Sequence, residues 1–346
     1  MPPIENQKSK IKNVLAARGL APRKSFGQNF MVDSNFAAAV ARAARADERT
    51  LILEVGPGTG CLTEALLASH PAARVLAVEI DRGLAAFLRE TLADPIAQGR
   101  LTLLEGDALA GKHALAPALV QAALEISATE NRPRRVLCAN LPYNAATPIL
   151  MNLAADAEGL AVESAVATIQ TELAERLLAG ADDAAYGAPS AFLALRATGK
   201  ILRRVGNEVF WPRPQVASAV VRLDFRPFAE DSRPEGPDYN SPGQASNASA
   251  ALGSMPQESA EALKGRANAA GTDARPSLLR AETAPFQQFL RKLFSQRRKT
   301  IRGTLKLREL PAALHLPPTA RAEELAPDVL LALYRFTTEA QRHSEE

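Results

Sequence analysis

The sequence predicts an α/β protein with a mainly parallel sheet, followed by a small all-α C-terminal domain. Three observations predict it. From about residue 50 to 225, short β-rich runs alternate with helical patterns, as βαβ units do. The first of those runs ends in a glycine-rich turn, GPGTG at 56–60, that leads into a helix. Beyond Phe286 the apolar spacing is helical only.

In chain order, the candidate strands are LILEV (51–55), RVLAVEI (74–80), RLTLLEG (100–106), RVLCAN (135–140), SAVATIQ (164–170) and SAVVRLDF (218–225). Between them, CLTEALLASH, RGLAAFLRETL and TELAERLLAG carry apolar residues three and four apart. Helices on both faces of a parallel sheet follow, and ligands of such sheets sit beyond the C-terminal strand ends. The run from 231 to 280 differs in kind: 30 of its 50 residues are Ala, Ser, Pro, Gly or Asn, and it has no Ile, Val or Phe. Such a composition buries too little apolar surface to offset chain entropy, so residues 229–285 are expected to be a disordered insertion. From there Phe289, Leu290, Leu293, Phe294, Ile301 and Leu305 fall on one helical stripe of a small domain spanning 286–340.

The chain has 346 residues, 47% hydrophobic and 23% charged, which is ordinary for a globular protein of about two domains. No apolar run approaches the roughly 18 residues that span a bilayer, and MPPIENQKSK is polar, so a cytoplasmic location away from membranes is expected. Cys61 and Cys138 lie in apolar stretches and read as small core residues. The four histidines lack ligand spacing, so no metal is expected. Net charge is only +3, but it is unevenly distributed. Residues 1–24 carry six Lys and Arg against Glu5 alone, and 286–308 carries Arg291, Lys292, Arg297, Arg298, Lys299, Arg302, Lys306 and Arg308 with no acid. Two acid-poor clusters favour a polyanion, whose phosphates supply affinity through counterion release.

The strongest local signal is LEVGPGTGCLT (53–63). Gly56, Gly58 and Gly60 permit a tight turn and close approach by a ligand. A dinucleotide fold would show G-x-G-x-x-G with its helix N-terminus facing a pyrophosphate. Here the spacing is G-x-G-x-G after an acid, Glu54, which suits a nucleoside without phosphates. At the next strand end, Glu79 can accept both ribose hydroxyls. At the third, Asp107 can accept from an adenine amino group. Together these define an adenosine pocket that S-adenosylmethionine fits.

The fourth strand brings Asn140, Leu141, Pro142 and Tyr143 to the same edge. Methylating an exocyclic adenine amine requires its delocalised lone pair to localise. Hydrogen bonds from N6 to the Asn140 side-chain oxygen and the Leu141 carbonyl favour that change and aim the nitrogen. Pro142 stiffens the turn, and Tyr143 offers a face for an extruded base. Phe210, in FWPRPQVASAVVRL, either pinches that base from the other side or plugs a loop base with apolar surface.

These residues match a known family. The chain resembles the bacterial KsgA-type ribosomal RNA small-subunit adenine N6,N6-dimethyltransferases over about residues 10–228 and 286–340. RKSFGQNFMVD (23–33), LEVGPGTGCLT, VEIDR, EGDAL, NLPYN, AYG (185–187), FWPRPQVASAVVRL and SQRRKTIRGTL (295–305) follow in the family's order. The resemblance implies a Rossmann-like class I methyltransferase domain (1–228) and a helical, basic RNA-binding domain (286–340). It implies two methyl transfers from S-adenosylmethionine to each of two adjacent adenosines near the 3′ end of 16S ribosomal RNA, by a monomer acting on the assembling 30S subunit. By position, donor contacts fall on Asn29, Met31, Gly56, Glu79, Asp107 and Asn140. Met31 stands where leucine is usual, Thr171 replaces a commonly basic residue, Ala188-Pro189 replaces a frequent Arg-Leu, and Ala217 replaces a frequent Asp. Rivals are an adenine methyltransferase acting on other RNA or DNA, and a non-catalytic assembly or nucleic-acid-binding factor.

Overall fold

The computed structural model describes residues 4–228, 278–296 and 299–345. Its centre is a seven-stranded sheet built from β2 (Thr50–Val55), β3 (Arg74–Glu79), β4 (Leu101–Glu105), β5 (Arg134–Asn140), β6 (Ser164–Gln170), β7 (Ala197–Val205) and β9 (Ser218–Phe225). The spatial order is β4-β3-β2-β5-β6-β9-β7. The first five strands are parallel, and β9 runs antiparallel between β6 and β7. Strand order reverses between β2 and β5, which opens a crevice at their C-terminal ends. A separate two-stranded ribbon pairs β1 (Phe30–Met31) with β8 (Phe210–Trp211).

The six expected strands all form. β2 is buried along its whole length, as a central parallel strand must be. Unforeseen was β7, whose Lys200, Leu202, Arg203 and Arg204 are exposed. It is the sheet's edge, where cations discourage further strand pairing, so it lacks the apolar run that marks its neighbours. Cys138 is buried and Cys61 half-buried, both as free thiols.

Helices cover both faces: α1 (Ile4–Ala17), α2 (Ser34–Ala43), α3 (Cys61–Ser69), α4 (Arg82–Thr91), α5 (Ala93–Ala97), α6 (Pro117–Thr129), α7 (Ala146–Ala155), α8 (Thr171–Leu178) and α9 (Ala188–Arg196). The C-terminal region adds α10 (Thr283–Phe294), α11 (Ile301–Leu305) and α12 (Pro327–Glu345). The stripe expected from Phe289 to Leu305 is split between two helices, because Thr300 caps a new one by accepting from the Gly303 N–H at 3.2 Å. Thr171 opens α8 and donates its N–H to the Ala217 carbonyl at 2.9 Å, while Ala188 and Pro189 open α9, where proline sacrifices no helical hydrogen bond.

The boundary at residue 285 needs correction. Most of the expected insertion, 229–277, lies outside the described residues, as do Arg297 and Arg298 of the basic cluster. Residues 278–285, however, are built into the fold: Leu278 is buried, and Arg280 pairs with the Asp156 carboxylate. The guanidinium groups of Arg196 and Arg280 lie 3.5 and 4.4 Å from the centroid of the buried Phe228 ring. A charged helix-end residue and an aromatic thus hold both flanks of 229–277 together. The C-terminal helices also share the sheet's core. Phe192 of α9 meets Phe286 at 6.5 Å between centroids, Tyr186 meets Phe294 edge-on at 5.5 Å, and the Tyr186 hydroxyl donates to the Leu325 carbonyl at 3.1 Å.

Candidate active site

Beyond the end of β2 the chain turns through Gly56 and Gly58, whose φ angles of +68° and +60° disfavour any residue with a side chain. Space matters as well: a Cβ on Gly58 would lie 2.9 Å from the Phe30 ring. The turn is tied to β3, since the Gly56 N–H donates to the Val78 carbonyl at 2.9 Å and the Gly58 N–H to Glu79 Oε2 at 2.9 Å. Glu79 Oε1 accepts the Asp81 N–H at 2.9 Å. Glu79 is 2% exposed, and burial raises its carboxyl above the usual range despite those backbone donors. Each of its oxygens retains a second lone pair for a ligand hydroxyl.

Two adjoining cavities meet at this turn. The first is lined by Glu54, Glu79, Asn29, Met31, Asn140 and Tyr143. The second lies toward β4, with Asp107, Ala108, Val55, Val78 and Ile149. Phe26, Gly56, Ile80 and Pro142 line both. Asp107 Oδ1 accepts the Leu109 N–H at 2.9 Å, so its other oxygen is the one free of backbone. The expected donor-contact residues Asn29, Met31, Gly56, Glu79, Asp107 and Asn140 therefore all border one continuous crevice.

At the end of β5, the Asn140 side-chain Nδ2 donates to the Asn29 carbonyl at 2.9 Å. Only an N–H can donate there, so the amide orientation is set and Oδ1 is its remaining acceptor. The Leu141 N–H donates to the Thr168 carbonyl at 3.1 Å, and the Pro142 carbonyl accepts the Ala145 and Ala146 N–H groups, which starts α7. The Tyr143 hydroxyl lies 3.1 Å from Ser218 Oγ, and burial raises its pKa. Asn140, Leu141, Pro142 and Tyr143 all face the first cavity.

Phe210 stands apart from this group. Its ring is 2% exposed and packs edge-on against Phe36 at 6.2 Å, in the core beneath the β1/β8 ribbon. The base-pinching position expected of it is not where its ring lies in this conformation. Register explains the difference: Met31 pairs with Phe210 and Phe30 with Trp211, so alternation turns Phe210 inward. Phe26 was not assigned a role from the sequence, although it lies in the quoted RKSFGQNFMVD segment. No periodicity marks a lone aromatic in a loop.

The lining of the crevice fits a nucleoside sulfonium donor. The first cavity is lined by two acids, Glu54 and Glu79, and by no lysine or arginine. Glu54 Oε2 is buried without a hydrogen-bond partner. Two carboxyl groups with no basic side chain make this first cavity better suited to a cation than to a pyrophosphate, while Lys112 lines the second, with Asp107. Among the described residues no group of His, Cys, Asp and Glu is arranged to hold a metal ion, and no helix is long and apolar enough to cross a membrane.

Comparison with known proteins agrees with this architecture. Residues 19–239 match the family model described as ribosomal RNA adenine dimethylase. The protein called "Ribosomal RNA small subunit methyltransferase A" in Acidothermus cellulolyticus is 40% identical over 219 residues, 63% of this chain and 69% of that one. The protein of the same name in Rhodospirillum rubrum is 36% identical over 329 residues, 94% of this chain and 91% of that one. Among solved structures, a dimethyladenosine transferase from Plasmodium falciparum superposes with a TM-score of 0.55 at 18% identity, covering 89% of this chain and 97% of that one. The 23S rRNA methyltransferase ErmE superposes with a TM-score of 0.53 at 20% identity, covering 89% and 98%. The two structures share the fold; the family match spans the glycine turn, the three acids and the Asn140 segment. The chain belongs to the ribosomal RNA adenine dimethylase family.

Proposed function

We propose that the chain dimethylates N6 of adenosines in ribosomal RNA with S-adenosylmethionine, and that its targets are the two adjacent adenosines near the 3′ end of small-subunit RNA in the assembling 30S subunit. It does so as a monomer in the cytoplasm, where unmethylated subunits are assembled. The observation that carries the reading is Asn140, tied through Nδ2 to Asn29 and lining the same cavity as Gly56 and Glu79. The names of the Acidothermus and Rhodospirillum relatives support the choice of small subunit.

When bound, S-adenosylmethionine supplies an electrophilic methyl on a sulfonium. Glu79 and Asp107 would hold its ribose and adenine, and Gly56 and Met31 would shape the wall against it. Asn140 Oδ1 and the Leu141 carbonyl accept hydrogen bonds from the acceptor N6, which draws its lone pair out of the ring and orients it. Pro142 keeps this tetrapeptide in one conformation, and Tyr143 stacks on the extruded base. No strong general base is needed, because the amine proton leaves after the methyl arrives. After the first transfer N6 keeps a single N–H, so only one of the two acceptors holds it while the nitrogen is presented for the second methyl.

The test is incubation of the full chain with unmethylated small subunits and labelled donor, followed by mapping of the label. Two adjacent dimethylated adenosines near the 3′ end are expected. Label confined to large-subunit RNA, or none on any RNA, would overturn the assignment.

A further inference from the structure

Glu54 is the one charged residue of β2, TLILEV. It is the fifth residue of the strand, between Leu53 and Val55, and is 1% exposed. Yet it lines the donor cavity, and its Oε2 is buried without a hydrogen-bond partner. The neighbouring Thr63 hydroxyl is likewise buried without a hydrogen-bond partner, so this end of the cleft holds two unsatisfied polar atoms and offers the carboxyl no counter-charge.

The groups around it give no counter-charge. On β3, Glu79 is a second buried carboxyl that opposes ionisation of the first. On α3, the Thr63 hydroxyl favours the charged form, and Cys61 is a thiol pushed up to about 12 by burial and by Glu64, Asp33 and Glu54. On β5, Cys138 is a fully buried thiol raised by desolvation and by Glu54. No lysine, arginine or histidine forms an ion pair with Glu54 among the described residues. Burial, offset in part by Thr63 and reinforced by Glu79, pushes the Glu54 carboxyl up to about 8. Burial without a counter-charge thus favours the protonated acid in the free cleft.

We propose that donor binding expels the proton from Glu54, which is neutral in the free cleft and ionised against the cationic donor. The O–H bond of the carboxyl breaks, its electron pair stays on the carboxylate, and the proton passes to the buffer. This rests on the assignment of S-adenosylmethionine as donor. The sign follows from linkage: the complex binds fewer protons than the free protein, so affinity rises with pH until the free acid is itself ionised.

Calorimetry of the full chain with S-adenosylmethionine, at pH 7 in buffers of different ionisation enthalpy, tests the coupling. An acid titrating near 8 and ionised in the complex releases about 0.9 proton per donor. The dissociation constant should fall nearly tenfold per pH unit between about 6 and 7.5 and level off above about 8. Glu54→Gln, of the same shape, should bind donor with about 0.9 fewer protons released and a correspondingly shallower pH slope. The donor's own ammonium is common to both proteins, so their difference reports Glu54. Clear binding heat that does not vary with buffer, or equal proton release in both proteins, would overturn the proposal while leaving the donor assignment intact. Absence of binding at every pH would instead remove the donor assignment. Should the variant misfold, the wild-type series repeated with a donor analogue lacking the ammonium removes that contribution and decides.

Discussion

Asn140 Nδ2 donates to the Asn29 carbonyl across 111 residues of sequence, joining the end of β5 to the strap that runs into β1. This bond orients the amide by its nitrogen end and leaves its oxygen as the remaining acceptor. On the proposed reading, one side chain serves both the wall of the donor cavity and the acceptor.

Removing it should separate chemistry from folding. Asn140→Ala deletes one acceptor of the adenine amine and should lower the single-turnover rate by about 10²- to 10³-fold, as loss of one preorganised group does. Stability should fall by only about 1 kcal/mol, the net worth of an ordinary hydrogen bond. Asn140→Asp retains an oxygen but cannot donate to Asn29, and it should also be slow. Rapid-quench methylation beside urea unfolding checks both halves.

Gly58→Ala should damage the donor cavity directly. Its φ of +60° is a left-handed conformation costing a side-chain-bearing residue about 1–2 kcal/mol, and the added methyl meets the Phe30 ring at 2.9 Å. Relief requires the turn to move, which pulls the Gly58 N–H from Glu79. A stability loss of roughly 2–3 kcal/mol with weakened donor binding is expected, read by unfolding and calorimetry.

Tyr143 allows the ring and the hydroxyl to be tested apart. Tyr143→Phe loses only the 3.1 Å contact with Ser218 and should cost about 0.5–1.5 kcal/mol in stability with RNA binding nearly unchanged. Tyr143→Ala also loses the stacking face, and RNA binding should weaken by about 1–3 kcal/mol. Filter binding across the three proteins distinguishes a stacking ring from a strand-end prop.

Much of this site could be read in the sequence for one reason. In a parallel sheet every strand points its C-terminal end at the same edge, so Gly56, Glu79, Asp107 and Asn140 had to share it once their strands were recognised. The strands themselves were recognisable because the central ones carry short runs of buried Val, Leu, Ile and Ala. What could not be read depended on packing between distant segments. β7 hid because its exposed edge mixes Lys200 and Arg203 with Ile201. The direction of Phe210 depends on its register with β1, about 180 residues earlier, and the order of residues 278–285 depends on Arg280 finding Asp156.

Phe210 yields a prediction because its two roles differ in what they change. A ring packed against Phe36 is a core element, and Phe210→Ala should cost about 3–5 kcal/mol of stability, with Phe210→Leu much milder. If the ring instead leaves the core to pinch the target base, Phe210→Leu would fold normally and fail in RNA binding. Thermal unfolding and RNA affinity measured on Phe210→Leu separate the two; normal affinity is expected.

The C-terminal helices should unfold with the sheet and not before it. Phe286 is fully buried and meets Phe192 of α9 on one side and Tyr334 of α12 on the other, at 6.5 and 5.4 Å between centroids. Tyr186 adds the hydrogen bond to Leu325. Helices that own no separate core gain their stability from that shared surface, so a single transition is expected in the wild-type protein. Phe286→Ala, which removes the ring common to both sides, should cost about 3–5 kcal/mol and split the curve into two steps. The first should report Tyr334 and the second the sheet. Calorimetry with matched near- and far-ultraviolet circular dichroism checks this: two transitions in the wild type, or one unchanged transition in the variant, would show that the two regions are energetically separate or that Phe286 does not couple them.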